Sequence, residues 1–405
     1  MFSNVEIPYG AYWSTPFARW QGSFAHLHSI LFASHVARQE LARKDLSPEI
    51  FDHAAFGSTT PQMSSFNGTP WLMSEIGAPS VGGPMINQAC ATSARCLAIS
   101  AQEIELGGAT CSLALAADRT SNAPVIHYPD PDGFNGMPEV EFFMVDNFMG
   151  KSGLVPFGDV AMVETAENCA REWQIDTSEQ HDVVLRRYEQ YQDAVRSGFH
   201  DRYMTLPFDV PDKRFSKTRS TLDNDEGVYP TDADKLARLK PVVDGGTVTL
   251  GGQTHPADGN AAIIVTNPDK ARELSRDPKI RIRLLSVGQA RSRVKFMPHA
   301  PVPASRKALE AAGLSIDDID VIKSHNPFAV NDIVFARETG RDVMSINNNG
   351  CSLIWGHPNG PTGMRATIEM IEELVMRGGG YGLFQGCAAG DLGMAVVIQV
   401  TEAAG

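Results

Sequence analysis

Strand and helix patterns alternate at both ends of this 405-residue chain, and that alternation restricts its fold more than any other feature. Short apolar runs typical of buried strands occupy 113–116, 261–265, 280–287, 321–324 and 394–400. Patterns typical of helices occupy 27–43, 92–106, 182–197, 304–312 and 362–376. Strands that alternate with helices predict an α/β architecture.

The two ends of the chain also resemble each other. The segment 87–90 (N-Q-A-C) follows an apolar stretch, and 347–350 (N-N-N-G) follows another. This similarity suggests an internal duplication. Between the two ends, 127–136 is rich in Pro, Asp and Gly, and 208–232 is polar with few apolar pairs. Both stretches are therefore predicted to be irregular surface segments.

Charge and composition are typical of an enzyme inside the cell. The net charge is −13 and the sequence has no run of Lys and Arg, so nucleic acid is not an expected partner. The first residues lack a basic region followed by an apolar stretch, and no apolar run reaches membrane-spanning length. These features predict a cytoplasmic protein without membrane contact.

The cysteine and histidine spacing indicates neither disulfides nor a metal. Six cysteines in a chain of this length are too few for a disulfide scaffold, and none forms a C-x-x-C pair. By base rate, most of them are expected to be small buried side chains. No resident metal is predicted.

Three short segments far apart in the chain contain candidate catalytic residues. Cys90 lies in P-M-I-N-Q-A-C-A-T-S, His357 in G-H-P, and Cys387 in G-C-A-A-G-D-L-G. A thiolate nucleophile, a histidine that keeps it ionised and a second thiol that moves a proton suffice to break or form a carbon–carbon bond beside a thioester. The three segments therefore suggest an acyl-transfer site.

Further segments in the same order extend the similarity along nearly the whole chain. They are S-T-P-F at 14–17, M-V-E-T-A-E-N-C-A at 162–170, T-V-T-L-G-G-Q-T-H-P-A-D-G-N-A-A from 247, and S-H-N-P-F at 324–328. Together with the three site segments they resemble the thiolase family. The resemblance implies a duplicated thiolase fold of five αβαβα layers. It places the N-terminal half at 1–125 and 241–268, an inserted loop domain for substrate and CoA at 126–240, and the C-terminal half at 277–405.

The resemblance also implies a role for each site residue. Cys90 would attack the 3-oxo carbon of a 3-oxoacyl-CoA, His357 would take its proton, and Cys387 would protonate the departing carbanion. The backbone N–H groups of Cys90 and Ala389 would form an oxyanion hole; many family members have Gly at the position of Ala389. A helix N-terminus and an imidazole are expected to lower the pKa of Cys90 below the usual value of about 8.5.

Two departures from the family pattern concern residues that would contact substrate. His325 stands where common thiolases have an Asn that holds a water in the enolate site; the alternative is that His325 is a loop residue and Asn326 takes this role. Thr254 stands where a Ser that contacts pantetheine is usual.

A cationic cluster is a further candidate for CoA binding. It could meet CoA phosphates through charge-assisted hydrogen bonds, or be a solvated loop. Its members are Lys213, Arg214, Lys217 and Arg219.

The segments 325–332 and 347–362 resemble an unusual branch of the family. That resemblance implies a bulky or aromatic substrate such as benzoylsuccinyl-CoA, and a small zinc-binding OB-fold partner subunit beside a homodimeric core. Coenzyme A would be a co-substrate, with no cofactor permanently bound. Three alternatives remain open at this stage: a thiolase-like aldolase, a 3-oxoacyl-carrier-protein synthase, and a non-catalytic scaffold that binds acyl-CoA.

Overall fold

The computed structural model describes residues 1–148 and 161–402. Within these ranges the strands are β1 Glu6–Ile7, β2 Tyr12–Ser14, β3 Ala18–Arg19, β4 His53–Gly57, β5 Met85–Ile86, β6 Cys111–Arg119, β7 Val125–Tyr128, β8 Glu139–Phe142, β9 Phe208–Pro211, β10 Thr218–Leu222, β11 Ala257–Thr266, β12 Ile280–Arg291, β13 Val321–His325, β14 Gly380–Ala388 and β15 Leu392–Glu402.

The helices in the same ranges are α1 Ser29–Arg43, α2 Gly68–Ile76, α3 Thr92–Glu105, α4 Phe143–Phe148, α5 Met162–Glu172, α6 Thr177–Ser197, α7 Ala233–Ala237, α8 Pro268–Leu274, α9 Pro301–Ala312, α10 Ala329–Thr339, α11 Ser352–Trp355 and α12 Pro361–Met376. No helix of the described part of the chain combines the length and apolar character needed to cross a bilayer.

Two similar sets of strands form the main sheet, joined by the short strand β1. In the first half β4 and β6 are parallel, and β6 pairs antiparallel with β11. The second half repeats this arrangement: β13 and β14 are parallel, and β14 pairs antiparallel with β15, which continues to β12. Because β1 pairs with both β11 and β12, the halves are hydrogen-bonded to each other.

Helices cover both halves and fill the space between them. α3 and α12 lie in the centre, where they contact each other and strands of both halves. α1 and α2 pack on the outside of the first half, and α9 on the outside of the second with α10 beside it. This order gives the five αβαβα layers predicted from the sequence, and the duplicated α/β fold is confirmed.

Close contact between the two central helices depends on small side chains. Gly363 lies in the first turn of α12, and a Cβ added there would lie 2.8 Å from Ser93 Oγ of α3 and 2.8 Å from Phe384 Cζ of β14. Interiors are packed as densely as organic crystals, so even one extra methyl group here must displace a neighbour. The start of α12 is thereby fixed against both α3 and β14.

The elements between β6 and β11 lie outside the main sheet and pack on both halves: α5 and α6 contact α10, and Phe208 and Val210 of β9 belong to the core of the first half. They include the hairpins β7–β8 and β9–β10 and the long helix α6. The predicted loop domain at 126–240 includes 149–160, which lie outside the described residues. α6 begins at Thr177, five residues before the predicted start, because the side chain of Asp176 accepts a hydrogen bond from the backbone N–H of Glu179 and caps the helix.

Candidate active site

Four buried side chains from distant parts of the chain converge where the central helices meet the strand ends. Cys90 precedes α3, His357 lies between α11 and α12, His325 ends β13, and Cys387 lies near the end of β14. All four are at most 8 % exposed. The register explains part of this convergence: His325 pairs with Gly386, so Cys387 follows directly beside it.

A tight turn presents Cys90 at the start of α3. Ala89 has a φ of +47°, a left-handed conformation that costs a residue with a Cβ about 1–2 kcal/mol. Thr92 holds the turn: its hydroxyl donates to the carbonyl of Ala89 at 2.7 Å and accepts from the N–H of Gln88 at 2.8 Å. Backbone strain of this kind collects at functional sites, where it fixes a reactive group in place.

His357 is held by its backbone and by a hydroxyl. Its N–H donates to the carbonyl of His255 at 2.8 Å, and its Nδ1 lies 2.6 Å from Thr362 Oγ1. Gly356 before it has a φ of +93°, and a Cβ there would lie 2.7 Å from the His255 ring. The Gly of G-H-P is therefore required. His357 Nε2 then lies 3.1 Å from Cys90 Sγ, within contact distance for proton transfer.

His325 stacks on His357, with ring centroids 4.1 Å apart. The amide nitrogen of Asn326 donates to Asp332, so its oxygen accepts the single hydroxyl proton of Ser352, at 3.0 Å. Ser352 therefore accepts from His325 Nδ1, 3.2 Å away, and Nε2 of His325 has a lone pair. That Nε2 is buried and has no hydrogen-bond partner among the described residues. Asn326, the alternative to His325, uses its side chain on this internal network.

Burial determines the charge state of the nucleophile at rest. It raises the pKa of the Cys90 thiol to about 12, although the backbone N–H groups of Ala389 and of Cys90 itself favour the thiolate. The lowered pKa expected from the sequence is thus not found: Cys90 does precede a helix, but desolvation outweighs the N–H groups. The same N–H groups are the two that were predicted to form an oxyanion hole.

Both histidines of the stack are neutral at ordinary pH. Burial lowers the pKa of His325 to about 3. Burial also lowers the pKa of His357 well below its usual value, and the nearby imidazoles of His325 and His255 add to the effect. The free site therefore contains a neutral thiol in contact with a neutral imidazole.

Cys387 is the second thiol of the site. It is fully buried, and the amide of Asn331 donates to its sulfur at 3.3 Å. Burial raises its pKa well above the usual value, and the nearby Cys90 raises it further. Cys387 is thus a protonated thiol close to Cys90.

Asp118 at the end of β6 supports the loop that contains His357. Its carboxylate accepts hydrogen bonds from the N–H groups of Thr59, Thr60 and Gly360, at 2.7, 2.9 and 2.9 Å. Burial raises the pKa of this carboxyl to about 6 in spite of these donors. The carboxylate ties the first half of the fold to the loop of the second half.

A cavity reaches Cys90 and His357, and a larger cleft adjoins it through shared lining residues. The cavity has a volume of about 160 Å³, and its walls are mainly apolar: Met144, Phe148, Met162, Pro256, Met297, Pro327 and Phe328. The cleft has a volume of about 480 Å³ and is lined by Tyr229, Lys235 and His255 among others. Gln253, Thr254 and Pro256 line both. Thr254, the residue predicted to contact pantetheine, thus lines both spaces, and its hydroxyl donates to the carbonyl of Ser352.

The cationic cluster predicted to meet CoA phosphates lies elsewhere. All four side chains are exposed at the turn and second strand of the hairpin β9–β10, and none lines the cavity or the cleft: Lys213, Arg214, Lys217 and Arg219. Lys235 of α7 lines the cleft instead. The structure does not bring the four together with the candidate site.

Several residues of the site were not identified from the sequence. Thr362, Ser352 and Asn331 contact His357, His325 and Cys387. They lie within the segments 325–332 and 347–362, but the sequence does not show which residues they contact, so only the fold reveals these roles. The fold also brings ligand atoms of Cys90, His325 and His357 within 4.8 Å of one another, a group that could hold a metal ion and that the sequence spacing did not indicate.

A thiol in contact with an imidazole, a second buried thiol and an apolar cavity in a duplicated αβαβα fold define an acyltransferase. The family comparison agrees with this class: residues 11–269 match the N-terminal domain of thiolase, and 278–400 match the C-terminal domain. The chain belongs to the thiolase family.

Relatives with known names are similar over almost their full length. The acetyl-CoA acetyltransferase of Paracoccus denitrificans is 29% identical over 390 residues, covering 95% of this chain and 97% of the relative. The 3-oxoadipyl-CoA/3-oxo-5,6-dehydrosuberyl-CoA thiolase of Escherichia coli K12 is 30% identical over 398 residues, covering 95% and 97%.

Solved structures of thiolases share the fold. Human mitochondrial 3-ketoacyl-CoA thiolase superposes with a TM-score of 0.88 at 26% identity, covering 98% of this chain and 99% of that one. The same enzyme in complex with CoA gives a TM-score of 0.87 at 26% identity, covering 98% of each chain.

Proposed function

We propose that the protein cleaves a 3-oxoacyl-CoA with free CoA through an acyl-enzyme on Cys90. The observation that carries this proposal is the 3.1 Å contact between Cys90 Sγ and His357 Nε2 beside the apolar cavity. Run in reverse, the same groups perform a Claisen condensation.

In the first step, Cys90 Sγ bonds to the 3-oxo carbon while its proton passes to His357 Nε2. Since the thiol is protonated at rest, the proton transfer accompanies the attack. The backbone N–H groups of Cys90 and Ala389 stabilise the oxyanion of the adduct. The bond between C2 and C3 then breaks, its electron pair stays on C2, and the 3-oxo carbon becomes the carbonyl of a Cys90 thioester.

In the second step, the enolate of the shorter acyl-CoA receives a proton at C2 from Cys387. The lone pair on His325 Nε2 accepts one hydrogen of a water, whose other hydrogen points to the enolate oxygen. This is how a histidine can replace the asparagine of common thiolases. The proton that His357 received then passes to the Cys387 thiolate, which leaves His357 neutral again. CoA finally attacks the acyl group on Cys90 while His357 takes the proton of its thiol. The bond between the acyl carbon and Sγ breaks, and the Cys90 sulfur receives that proton from His357, so the kinetics are ping-pong.

The two spaces at the site suit the two parts of the substrate. The cleft would take CoA, with Tyr229 and Lys235 near its outer end and Thr254 at the pantetheine. The apolar cavity would take the acyl group. Its volume of about 160 Å³ is close to the roughly 150 Å³ of an apolar cavity that holds benzene. This match favours a bulky or aromatic acyl group such as that of benzoylsuccinyl-CoA.

The sequence resemblance also supports proposals about the oligomeric assembly and the cellular location of the protein. The working enzyme would be a homodimer in the cytoplasm, with a small zinc-binding OB-fold subunit beside it. Purification of the chain with its native partners, followed by native mass spectrometry, tests this assembly.

Intact-protein mass spectrometry tests the function directly. The protein is incubated with straight-chain and aromatic 3-oxoacyl-CoAs, and any adduct is located by peptide mapping. The expected result is an acyl mass on Cys90 that CoA removes. The Cys111→Ala variant, which lacks a buried thiol remote from the site, is the control and should acylate like the wild type. Absence of an adduct with every substrate would favour an aldolase or a non-catalytic scaffold.

The role of Cys387 needs a separate variant. We expect Cys387→Ala to accumulate the acyl-enzyme from 3-oxoacyl-CoA about 10²–10⁴-fold more slowly, because an enolate that is not protonated attacks the Cys90 thioester again and reverses the cleavage. Cys90 of the variant should still be alkylated by iodoacetamide at the wild-type rate. Unchanged thiolysis would remove Cys387 from the mechanism.

A further inference from the structure

The group formed by Cys90, His325 and His357 has the composition of a metal site. One sulfur and two imidazole nitrogens lie within 4.8 Å of one another, and all three residues are buried. Cys and His are the ligands that Zn²⁺ prefers, whereas Mg²⁺ and Ca²⁺ prefer oxygen. Both oxygens of the nearby Asp118 carboxylate accept hydrogen bonds from backbone N–H groups, so this carboxylate is not counted among the proposed ligands.

The two imidazoles present suitable atoms to this space. His325 Nε2 has a lone pair and no hydrogen-bond partner among the described residues, although its side chain is fully buried. His357 Nε2 already lies 3.1 Å from Cys90 Sγ. A buried acceptor without a donor is unfavourable, and a cation would satisfy it.

The outer contacts also match those of metal-binding histidines. The second ring nitrogen of each imidazole, Nδ1, contacts a hydroxyl: that of Ser352 for His325 and that of Thr362 for His357. In metal sites such contacts fix the tautomer and the orientation of the ring. Both Nε2 atoms are thus left for one ion.

We propose that Cys90 Sγ, His325 Nε2 and His357 Nε2 bind one Zn²⁺ ion, which blocks the nucleophile reversibly. On binding, the S–H bond of Cys90 breaks, its proton leaves to solvent, and the sulfur electron pair forms the bond to zinc. The ion exchanges three of its waters for the protein ligands. Because the two rings are stacked with an interplanar angle of 23°, they must turn toward each other before both Nε2 lone pairs point at one ion. The three ligand atoms would then reach the usual Zn–S distance of about 2.3 Å and Zn–N distance of about 2.0–2.1 Å.

The cavity supplies both the entry path and the fourth ligand. Cys90 and His357 line it, so the fourth position of a tetrahedral ion would face the substrate space and hold water or the thiolate of CoA. Zinc and an acyl group compete for the same sulfur, because a thioester sulfur is a far poorer ligand than a thiolate. The block of acyl transfer rests on the proposed function, whereas binding of the ion does not.

Cobalt(II), a spectroscopic substitute for Zn²⁺, tests the binding. The protein, freed of metal by EDTA and gel filtration, is titrated with Co²⁺ and followed by absorption; zinc content after desalting is measured by mass spectrometry. We expect one ion per chain, with the visible bands of a tetrahedral site and a thiolate-to-cobalt charge-transfer band. Wild-type protein alkylated at Cys90 should lack that band and retain no zinc. Because alkylation modifies protein that has already folded, this control does not depend on a variant that must fold by itself.

Variants assign the nitrogen ligands. His325→Asn should weaken Co²⁺ binding by at least the roughly 10–100-fold that loss of an outer contact of a metal ligand costs. The matched controls are Cys111→Ala and His127→Gln, a thiol and an imidazole outside the group, and both should bind like the wild type. The proposal is overturned if no ion binds, if the alkylated protein keeps the charge-transfer band, or if His325→Asn binds with wild-type affinity.

An acylation assay separates this proposal from the proposed function. Zinc-loaded, desalted protein should form no acyl-enzyme, and EDTA should restore it. If the metal-free protein acylates but binds no ion, only the zinc site fails. If it binds the ion at Cys90 but never acylates, only the proposed function fails.

Discussion

At the scale of single residues, Cys90 differs from the ionised thiols of many cysteine enzymes. Such thiols lie in electropositive, partly exposed surroundings. Cys90 is only 8 % exposed, and burial raises its pKa to about 12. His357 beside it is neutral as well. The reactivity of Cys90 therefore depends on the position of its neighbour: His357 Nε2 lies 3.1 Å from Sγ and can accept the thiol proton. The thiolate and the imidazolium form only when Cys90 attacks a substrate.

The pH dependence of alkylation tests this resting state. A pKa raised to about 12 means that the thiolate fraction of the folded enzyme increases about tenfold per pH unit from neutral pH upward, without levelling off below about pH 10. Iodoacetamide alkylation of Cys90, measured by peptide mapping, should show this slope. In the urea-unfolded chain the rate should level off above about pH 9, as for an ordinary cysteine. A plateau near neutral pH in the folded enzyme would indicate a resting thiolate–imidazolium pair instead.

At the scale of elements, the start of α12 couples packing to the site. Gly363 directly follows Thr362, whose hydroxyl contacts His357, and its Cα faces Ser93 and Phe384. A side chain at position 363 must move the helix, and with it the hydroxyl that orients the imidazole. The glycine is thus required by close approach rather than by an unusual backbone angle.

Replacing this glycine should affect both stability and rate. We expect Gly363→Val to lower the free energy of unfolding by about 1–3 kcal/mol through overpacking, although valine is the better helix former. We also expect kcat to fall by about 10²-fold, the effect of a shift of roughly 1 Å at a catalytic group. Urea unfolding and steady-state kinetics measure the two. Gly82→Val is the matched control, since a Cβ at Gly82 meets nothing within 4 Å; an equal loss there would refute the argument.

The sequence predicted elements where patterns were strong and local. The helix predicted at 362–376 and the strand at 394–400 agree with α12 and β15 within a few residues. α9 begins at Pro301, earlier than predicted, because proline is tolerated in the first turn of a helix. β14 was not identified, since its glycines and polar residues weaken the apolar pattern, yet it contains Cys387.

Contacts within the site were harder to predict from the sequence. Motif order was sufficient to find Cys90, His325 and His357. It could not show that Ser352 fixes the tautomer of His325, because that inference needs the network through Asn326. The cations at 213–219 have the right charge for phosphates, yet none of the four lines the cavity or the cleft, and composition does not report position.

At the scale of the whole molecule, a buried ion pair joins the surface elements between β6 and β11 to the central helix α12. Arg365 donates to both oxygens of Asp225, at 2.5 and 2.9 Å, and all of these groups are fully buried. Its guanidinium also donates to Glu369 and stacks over Trp355. Tyr191 of α6 donates to the same Asp225. One arginine thus connects several layers.

Loss of Asp225 should lower the free energy of unfolding and change how that free energy depends on pH in the acid range. Burial is the largest single influence and raises the pKa of Asp225, but Arg365, His200 and the backbone N–H of Phe17 together lower this pKa below its usual value. Its contribution is therefore present above the unfolded pKa of about 3.9 and is lost as pH falls through the lower folded pKa. Asp225→Asn should lose about 3–5 kcal/mol at neutral pH, because a buried charge remains unpaired.

Urea unfolding at a series of pH values measures this effect. The difference between wild type and Asp225→Asn should shrink as the pH falls toward the acid range. Asp209→Asn is the control, because Asp209 is the exposed residue of β9, and this variant should stay within about 0.5 kcal/mol of the wild type. A difference that is constant over the whole pH range would show that the ion pair is not its source.

Cys90 and His357 are 267 residues apart in the sequence, and this separation affects when each residue is made during translation. During synthesis at about 5–20 residues per second, the ribosome makes the nucleophile on the order of ten to fifty seconds before the base. The strand with the second thiol comes still later. An unfinished chain therefore contains Cys90 without the imidazole that would accept its proton, and the candidate site can be assembled only after the second half of the chain has been made.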